Sequence, residues 1–287
     1  MTTLGEEVLE MRVEVTATTA NIGPGFDVLG IGLSLANTYE LLDGPAKRPT
    51  LADKAFRRYY EFIDRPVPER RVHIVQANIP SSSGLGSSAS LIVGGLVLAN
   101  ESERRLDNES LLALATEIEG HPDNVAPALF GGLVISAVRD GKVYYKRYEL
   151  DPQLRFICFV PEYTLSTAQV RRVLPDTISR SEAIENVANS TMLTASLITR
   201  DYDQLSIFFA DNLHEPYRKP FVREYEQLKS LQQLDDVSGV YLSGAGPTVI
   251  ALTLDPEPIV EYARAHFDFA GSILTLSVNN YGYTVKP

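Results

Sequence analysis

Ile79, Pro80, Ser81, Ser82, Ser83, Gly84, Leu85, Gly86, Ser87, Ser88 and Ala89 form an unbroken run rich in small residues. The run leads into Ser90-Leu91-Ile92-Val93-Gly94-Gly95-Leu96-Val97-Leu98-Ala99, which carries no charge before Glu101. A glycine- and serine-rich loop feeding a helix can bind an anion. The first N–H groups of a helix have no partner within it, and the helix dipole favours negative charge at that end. Gly84 and Gly86 allow backbone angles that bulkier residues resist, and let a phosphate come close to the chain. The hydroxyls of Ser87 and Ser88 can bond phosphate oxygens or a magnesium ion. The run lacks the Gly-Lys-Ser/Thr ending of the common P-loop, so it is a different kind of cradle. Taken alone, it also reads as a flexible connection with a helix cap.

Three other segments accompany it. The first is Thr16-Ala17-Thr18-Thr19-Ala20-Asn21-Ile22-Gly23-Pro24-Gly25-Phe26-Asp27-Val28-Leu29-Gly30. The second is Glu119-Gly120-His121-Pro122-Asp123-Asn124, continuing to Gly132, and the third is Leu242-Ser243-Gly244-Ala245-Gly246-Pro247-Thr248. Together and in this order they resemble the motif set of the GHMP kinases, over about residues 12–253. Within that superfamily the resemblance is closest to the branch whose acceptor is L-homoserine. It implies an ATP- and Mg2+-dependent phosphotransferase that makes O-phospho-L-homoserine, in a family that is often homodimeric. The fold it implies is α+β, with a ribosomal-S5-domain-2-like domain at the N-terminus and a ferredoxin-like domain at the C-terminus. The active site would lie in the cleft between them.

Phosphoryl transfer needs placement and charge neutralisation more than covalent chemistry. Residues 79–89 would hold the ATP phosphates. The resemblance puts magnesium on Ser88 and on a glutamate of the preceding helix, by position Glu117, with Glu119 a near competitor. A serine and a glutamate suffice, because Mg2+ keeps several waters. An amino-acid acceptor brings an ammonium and a carboxylate, so its pocket needs both signs. Asp27 suits the ammonium, while Asn21, His121 and Asn124 can bond polar atoms. Arg171 and Arg218 match family positions and suit the carboxylate through a planar two-pronged contact. Asp123 either accepts the hydroxyl proton, leaves that proton to the phosphoryl group, or merely orders its turn. The lysine that often accompanies a general-base aspartate is absent, since no lysine lies between Lys54 and Lys142. His73, His214 and His266 read as ordinary, and the four histidines give no zinc spacing. The rival readings are a related kinase with another acceptor and a non-catalytic binding protein of the same fold.

The chain has 287 residues, 44% of them hydrophobic and 22% charged, as in an ordinary globular protein with a sizeable core. The net charge of −11 argues against a nucleic-acid partner, which needs a basic face. It also leaves nucleotide phosphates to local N–H groups, a cation and single arginines. Apolar runs fall short of the roughly 20 residues that span a membrane. Residues 1–10 are acidic, match nothing in the family and do not read as a secretory signal. A single cysteine, Cys158, excludes an internal disulfide and suits the cytoplasm.

The elements that must position these residues follow from periodicity and caps. Residues 12–18 alternate as a strand, 22–32 read as a glycine-rich loop, and 39–42 and 72–76 as strands. Helices are expected over 52–62 and 108–118, the latter capped by Asn108 and ended by Gly120. Asp140-Gly141 marks a hairpin between 133–138 and 142–150. A boundary near Asp151-Pro152 divides the chain into 1–150 and 151–287. In the second part, helices are expected over 181–199, 201–212, 221–234 and 257–267. Strands are expected over 154–160, 240–242, 249–254 and 272–278.

Overall fold

A computed structural model describes residues 11–286, so the expectations for residues 1–10 lie outside the described residues. The chain runs β1 (Arg12–Ala20), β2 (Leu29–Asp43), α1 (Leu51–Phe62), β3 (Arg70–Gln76), α2 (Ser87–Glu103), α3 (Asn108–Glu119) and α4 (Pro122–Phe130). Then come β4 (Leu133–Arg139), β5 (Lys142–Tyr148), β6 (Arg155–Pro161), α5 (Thr167–Arg171), α6 (Arg180–Thr199), α7 (Glu215–Arg218) and α8 (Tyr225–Lys229). β7 (Val237–Leu242), β8 (Val249–Thr253), α9 (Glu257–His266), β9 (Gly271–Ser277) and β10 (Thr284–Lys286) follow.

Two antiparallel sheets result, and the class is α+β as expected. The first follows the order β10-β1-β2-β4-β5. Its long strand β2 pairs with β4 through Leu29–Ile31 and with β3 through Thr38–Asp43. The second sheet follows β7-β8-β6-β9. With α5 and α6 after β6 and α9 before β9, this is the expected ferredoxin-like arrangement. Alternation along β6 explains how it is covered. Phe156 and Cys158 face a core shared with Ile31 and Leu33 of the first sheet, whereas Ile157 and Phe159 pack against Leu228 and Ile259. The shared core fixes the two sheets against each other, and the functional cleft opens at its edge.

The structure departs from the sequence reading in several places. Asp107, not Asn108, caps α3, its side chain accepting the Ser110 N–H at 2.8 Å. β2 begins at Leu29, not Tyr39, so residues 29–32 of the segment read as a loop are strand. Its glycines hid it: a Cβ on Gly30 would lie 1.8 Å from the Asp123 carbonyl, so the start of α4 rests directly on the bare strand. Residues 201–212 form no α-helix, only a 3-10 turn over Leu205–Phe209. Gln204 is left-handed at φ +59°, which breaks the backbone path of a longer helix. The expected helix 221–234 is broken into α8 and a 3-10 turn over Ser230–Gln233. Finally, the boundary at 150 parts β1–β5 from β6–β9, but one strand crosses it. β10 returns to pair with β1, and the Asn280 side chain bonds the backbone N–H and carbonyl of Leu150 at 3.0 and 2.9 Å.

Candidate functional site

A cavity of about 290 Å3 lies where the two sheets meet. Its walls come from the β1–β2 loop, the loop before α2, the ends of α3 and α4, Arg171 of α5, Arg218 of α7 and the β7–β8 loop.

The loop before α2 is shaped by neighbours that leave no room for side chains. Gly86 caps α2 at φ +71°, and a Cβ there would lie 1.9 Å from Thr18 Oγ1. A Cβ on Gly84 would lie 2.3 Å from the Ser243 carbonyl. No side chain caps α2, so its first N–H groups open toward the cavity beside Ser87 and Ser88. This fits a phosphate. The expected eleven-residue cradle is narrower than its sequence span, however. Ser81–Gly84 and Gly86–Ser88 line the cavity, whereas Ile79, Leu85 and Ala89 are buried in the core. Ile79 donates its N–H to Asn37 Oδ1 at 2.9 Å, and Pro80 accepts from the Ser83 hydroxyl at 2.8 Å. These four anchor the loop and do not line the cavity.

The third glycine-rich segment straps the first two together. The Thr19 and Ser243 hydroxyls are 2.8 Å apart, and Ser243 Oγ donates to the Gly84 carbonyl at 2.7 Å. Thr248 N–H donates to the Ser83 carbonyl and Gly244 N–H to the Ala20 carbonyl. The Gly246–Pro247 peptide is cis.

Glu117 is not brought to Ser88. It is exposed and makes a two-pronged pair with Arg58 on α1, at 3.0 and 3.1 Å. Ser88 Oγ instead donates to Glu119 Oε2 at 2.7 Å. Helix periodicity could have shown this. Glu117 shares the exposed stripe of Ala113, whereas Glu119 follows buried Leu112, Ala115 and Thr116. Burial raises the pKa of the Glu119 carboxyl, and the Ser88 bond only partly offsets this. A hydroxyl and a carboxylate so placed are hard oxygen ligands that fit Mg2+.

The end of the cavity expected to take the acceptor is more tightly bonded internally than the sequence suggests. Asn21 spends both ends of its amide: Nδ2 donates to the Gly244 carbonyl at 2.9 Å, and Oδ1 accepts from Asp27 N–H at 2.8 Å. Asn124 Oδ1 accepts from the Thr18 hydroxyl at 2.8 Å. Asp27 forms an ion pair with Arg171, so these two expected substrate contacts meet each other. Asp123 is 1% exposed, with Oδ1 2.5 Å from His121 Nδ1 and a buried, unpartnered Oδ2. Asp27, His121 and Asp123 bring ligand atoms within 4.8 Å of one another. Burial pushes the His121 pKa down, but the bond and charge of Asp123, with Asp27 and Glu119, carry it up overall.

Arg218 is 1% exposed yet lines the cavity. Its NH1 donates to the Gly244 carbonyl at 3.0 Å. Burial and the neighbouring Arg171 push its pKa down to about 10, against Asp27, Asp123 and Asp211, and it remains cationic at neutral pH. Phe26 lies 5.1 Å from the Arg218 guanidinium and 5.6 Å from that of Arg171. The sequence reading gave Phe26 no role, although it stands in the first motif, and read His214 as ordinary. Leu51 and Leu91 add an apolar end to the cavity.

A cradle at one helix N-terminus, an oxygen pair beside it and two arginines across a single cavity define a small-molecule phosphotransferase. The comparisons agree. Residues 50–132 match the family model for the N-terminal domain of GHMP kinases, and residues 192–268 the model for their C-terminal domain. The chain belongs to the GHMP kinase family. Its curated relatives carry one name in particular. A homoserine kinase from Streptococcus mutans is 40% identical over 289 residues, spanning 96% of this chain and 99% of the relative. A homoserine kinase from Petrotoga mobilis is 35% identical over 298 residues, spanning 96% of each. The solved structure of homoserine kinase from Cytophaga hutchinsonii shares the fold at a TM-score of 0.85 and 24% identity, over 99% of this chain and 100% of that one. Among the described residues, no helix is long and apolar enough to cross a membrane.

Proposed function

We propose that this chain transfers the γ-phosphoryl group of ATP to the side-chain hydroxyl of L-homoserine, giving O-phospho-L-homoserine. One observation carries this reading: the buried Arg218 cation and the Asp27 carboxylate share a cavity with the open N-terminus of α2. An amino-acid zwitterion needs both signs, and a triphosphate needs the third. The names of the relatives point to the same acceptor.

In this reading the loop residues Ser81–Gly84 and Gly86–Ser88 hold the phosphates through backbone N–H groups and hydroxyls. Ser88 and Glu119 would hold Mg2+, which would supply positive charge to balance the phosphoryl oxygens. Arg218 and Arg171 hold the acceptor carboxylate, and Asp27 turns from Arg171 to the ammonium. Asn21 and Asn124 keep the walls in place through their own hydrogen bonds. Asp123 lines the cavity yet is 1% exposed, and its Oδ1 holds the His121 imidazole. This burial favours loss of the hydroxyl proton to the transferring phosphoryl group, with catalysis by position and charge. Asp123→Asn then lowers kcat by less than about tenfold, whereas removing a dedicated base costs about 10²–10⁴. A larger loss at unchanged KM would restore Asp123 as the base.

The deciding assay is ADP release by the purified protein with MgATP, with and without L-homoserine, mevalonate, galactose or L-serine. Release that depends on L-homoserine supports the reading. Release with another alcohol keeps the kinase and removes this acceptor. Binding of MgATP with no release in any case removes the enzyme.

A further inference from the structure

The Arg218 guanidinium has three hydrogen-bond partners among the described residues, besides the Phe26 ring. Two are backbone carbonyls: Val170, 3.4 Å from Nε, and Gly244, 3.0 Å from NH1. The third is a side chain, His214, whose Nδ1 lies 3.5 Å from NH1, at the outer limit of a hydrogen bond.

His214 is fully buried, although it read as an ordinary histidine in the sequence. A guanidinium has five N–H donors and no acceptor, so the nitrogen facing it must present its lone pair. The proton then sits on Nε2, which lies 3.2 Å from the Gly23 carbonyl, a matching acceptor. Asp211 Oδ2 is 3.7 Å from Nε2 and also accepts the backbone N–H of His214 at 2.8 Å and of Glu215 at 2.7 Å. The imidazole further stacks on Phe26, with ring centroids 5.4 Å apart. Gly23, Phe26 and Asp27 belong to one loop, and Arg218 to α7 in the other half of the chain. One buried ring therefore ties the loop carrying the Asp27 carboxylate to the element carrying the Arg218 cation.

We infer that His214 is a positioning residue that sets the distance between the carboxylate-binding and ammonium-binding ends of the acceptor pocket. It selects acceptors bearing both charges at the spacing of an α-amino acid. The inference rests on the amino-acid-alcohol reading of the same cavity and goes beyond it, because His214 is buried and does not line that cavity.

The test compares the wild-type protein with His214→Leu and His214→Asn. The acceptors are L-homoserine and 3-aminopropan-1-ol, the same alcohol without its carboxylate. Wild type should strongly prefer L-homoserine. His214→Leu should raise the KM for L-homoserine about tenfold and narrow the preference by a similar factor, with kcat and the KM for MgATP within about twofold. His214→Asn keeps an acceptor near the Nδ1 place and should stay within about threefold of wild type. Equal damage in both variants, or a fall in kcat with both substrates' KM displaced, would show a merely structural role and overturn the inference. So would no change in His214→Leu. A wild-type protein that ignores L-homoserine and phosphorylates another alcohol overturns the acceptor reading first, and that failure is visible before any variant is made. Should His214→Leu not fold, the wild-type imidazole decides by 15N NMR: the Nε2–H tautomer supports the inference, and an Nδ1–H tautomer overturns it.

Discussion

At the scale of single residues, the site separates groups that serve a ligand from groups that serve the fold. Glu117 and Glu119 make the distinction sharp, being two positions apart on one helix and facing opposite ways. Glu119→Gln should lower kcat at least about tenfold and raise the Mg2+ requirement, since metal charge stabilisation is worth several kcal/mol. Glu117→Gln should leave kinetics unchanged, because an exposed ion pair contributes about 0–1 kcal/mol and lies outside the cavity. A magnesium titration of both variants checks this, and the reverse order would return the role to Glu117. Arg218→Ala should raise the KM for L-homoserine at least about tenfold, because a lost charge-assisted hydrogen bond costs about 1.5–3 kcal/mol. The KM for MgATP should barely move, and a rise in both would mean that Arg218 props the cavity as a whole.

At the scale of elements, the loop before α2 is a clasp whose geometry depends on missing side chains. Gly86→Ala adds a methyl 1.9 Å from Thr18 Oγ1 at a left-handed φ of +71°. Thr18 in turn holds Asn124, so the disturbance reaches the start of α4. Gly120→Ala is the matched control: also left-handed, at φ +95°, but with nothing within 4 Å of the added methyl. Chemical denaturation should show a loss of about 1–2 kcal/mol for Gly120→Ala, the backbone penalty alone. Gly86→Ala should lose more than that, together with MgATP affinity. Equal losses would mean that the clasp relaxes freely. Part of this was legible beforehand, because glycines speak locally: α3 stops at Gly120 as expected, although its N-cap is Asp107 and not Asn108, and the Thr50–Asp53 capping box that starts α1 went unread. What stayed illegible is what neighbours decide. The early part of β2 looked like a loop because its glycines answer to α4, and the helix expected over 201–212 failed at Gln204. The choice between Glu117 and Glu119 could be read from helical phase, but the Arg58 that captures Glu117 could not. The pairing of Asp27 with Arg171 likewise appears only when the loops have met.

At the scale of the whole molecule, one core seals the two sheets together, and Cys158 sits within it. Burial pushes its thiol far above the ordinary range, so the thiolate that would react is scarce. A thiol reagent should therefore label the native protein no faster than it unfolds, and should count one thiol in denaturant. Labelling within minutes in a protein whose circular dichroism is intact would mean that the sheets part locally. The same intimacy has a cost during synthesis. β1 gains its outer neighbour only from Thr284–Lys286, with Glu14 and Thr284 separated by 270 positions. At about 5–20 residues per second, translation leaves that strand edge bare for roughly 15–50 s. A bare edge is a template for another chain. The interval in which a half-made copy can stick to its neighbour on a polysome is thus set by ribosome speed and codon choice, which no measurement on the finished fold reports.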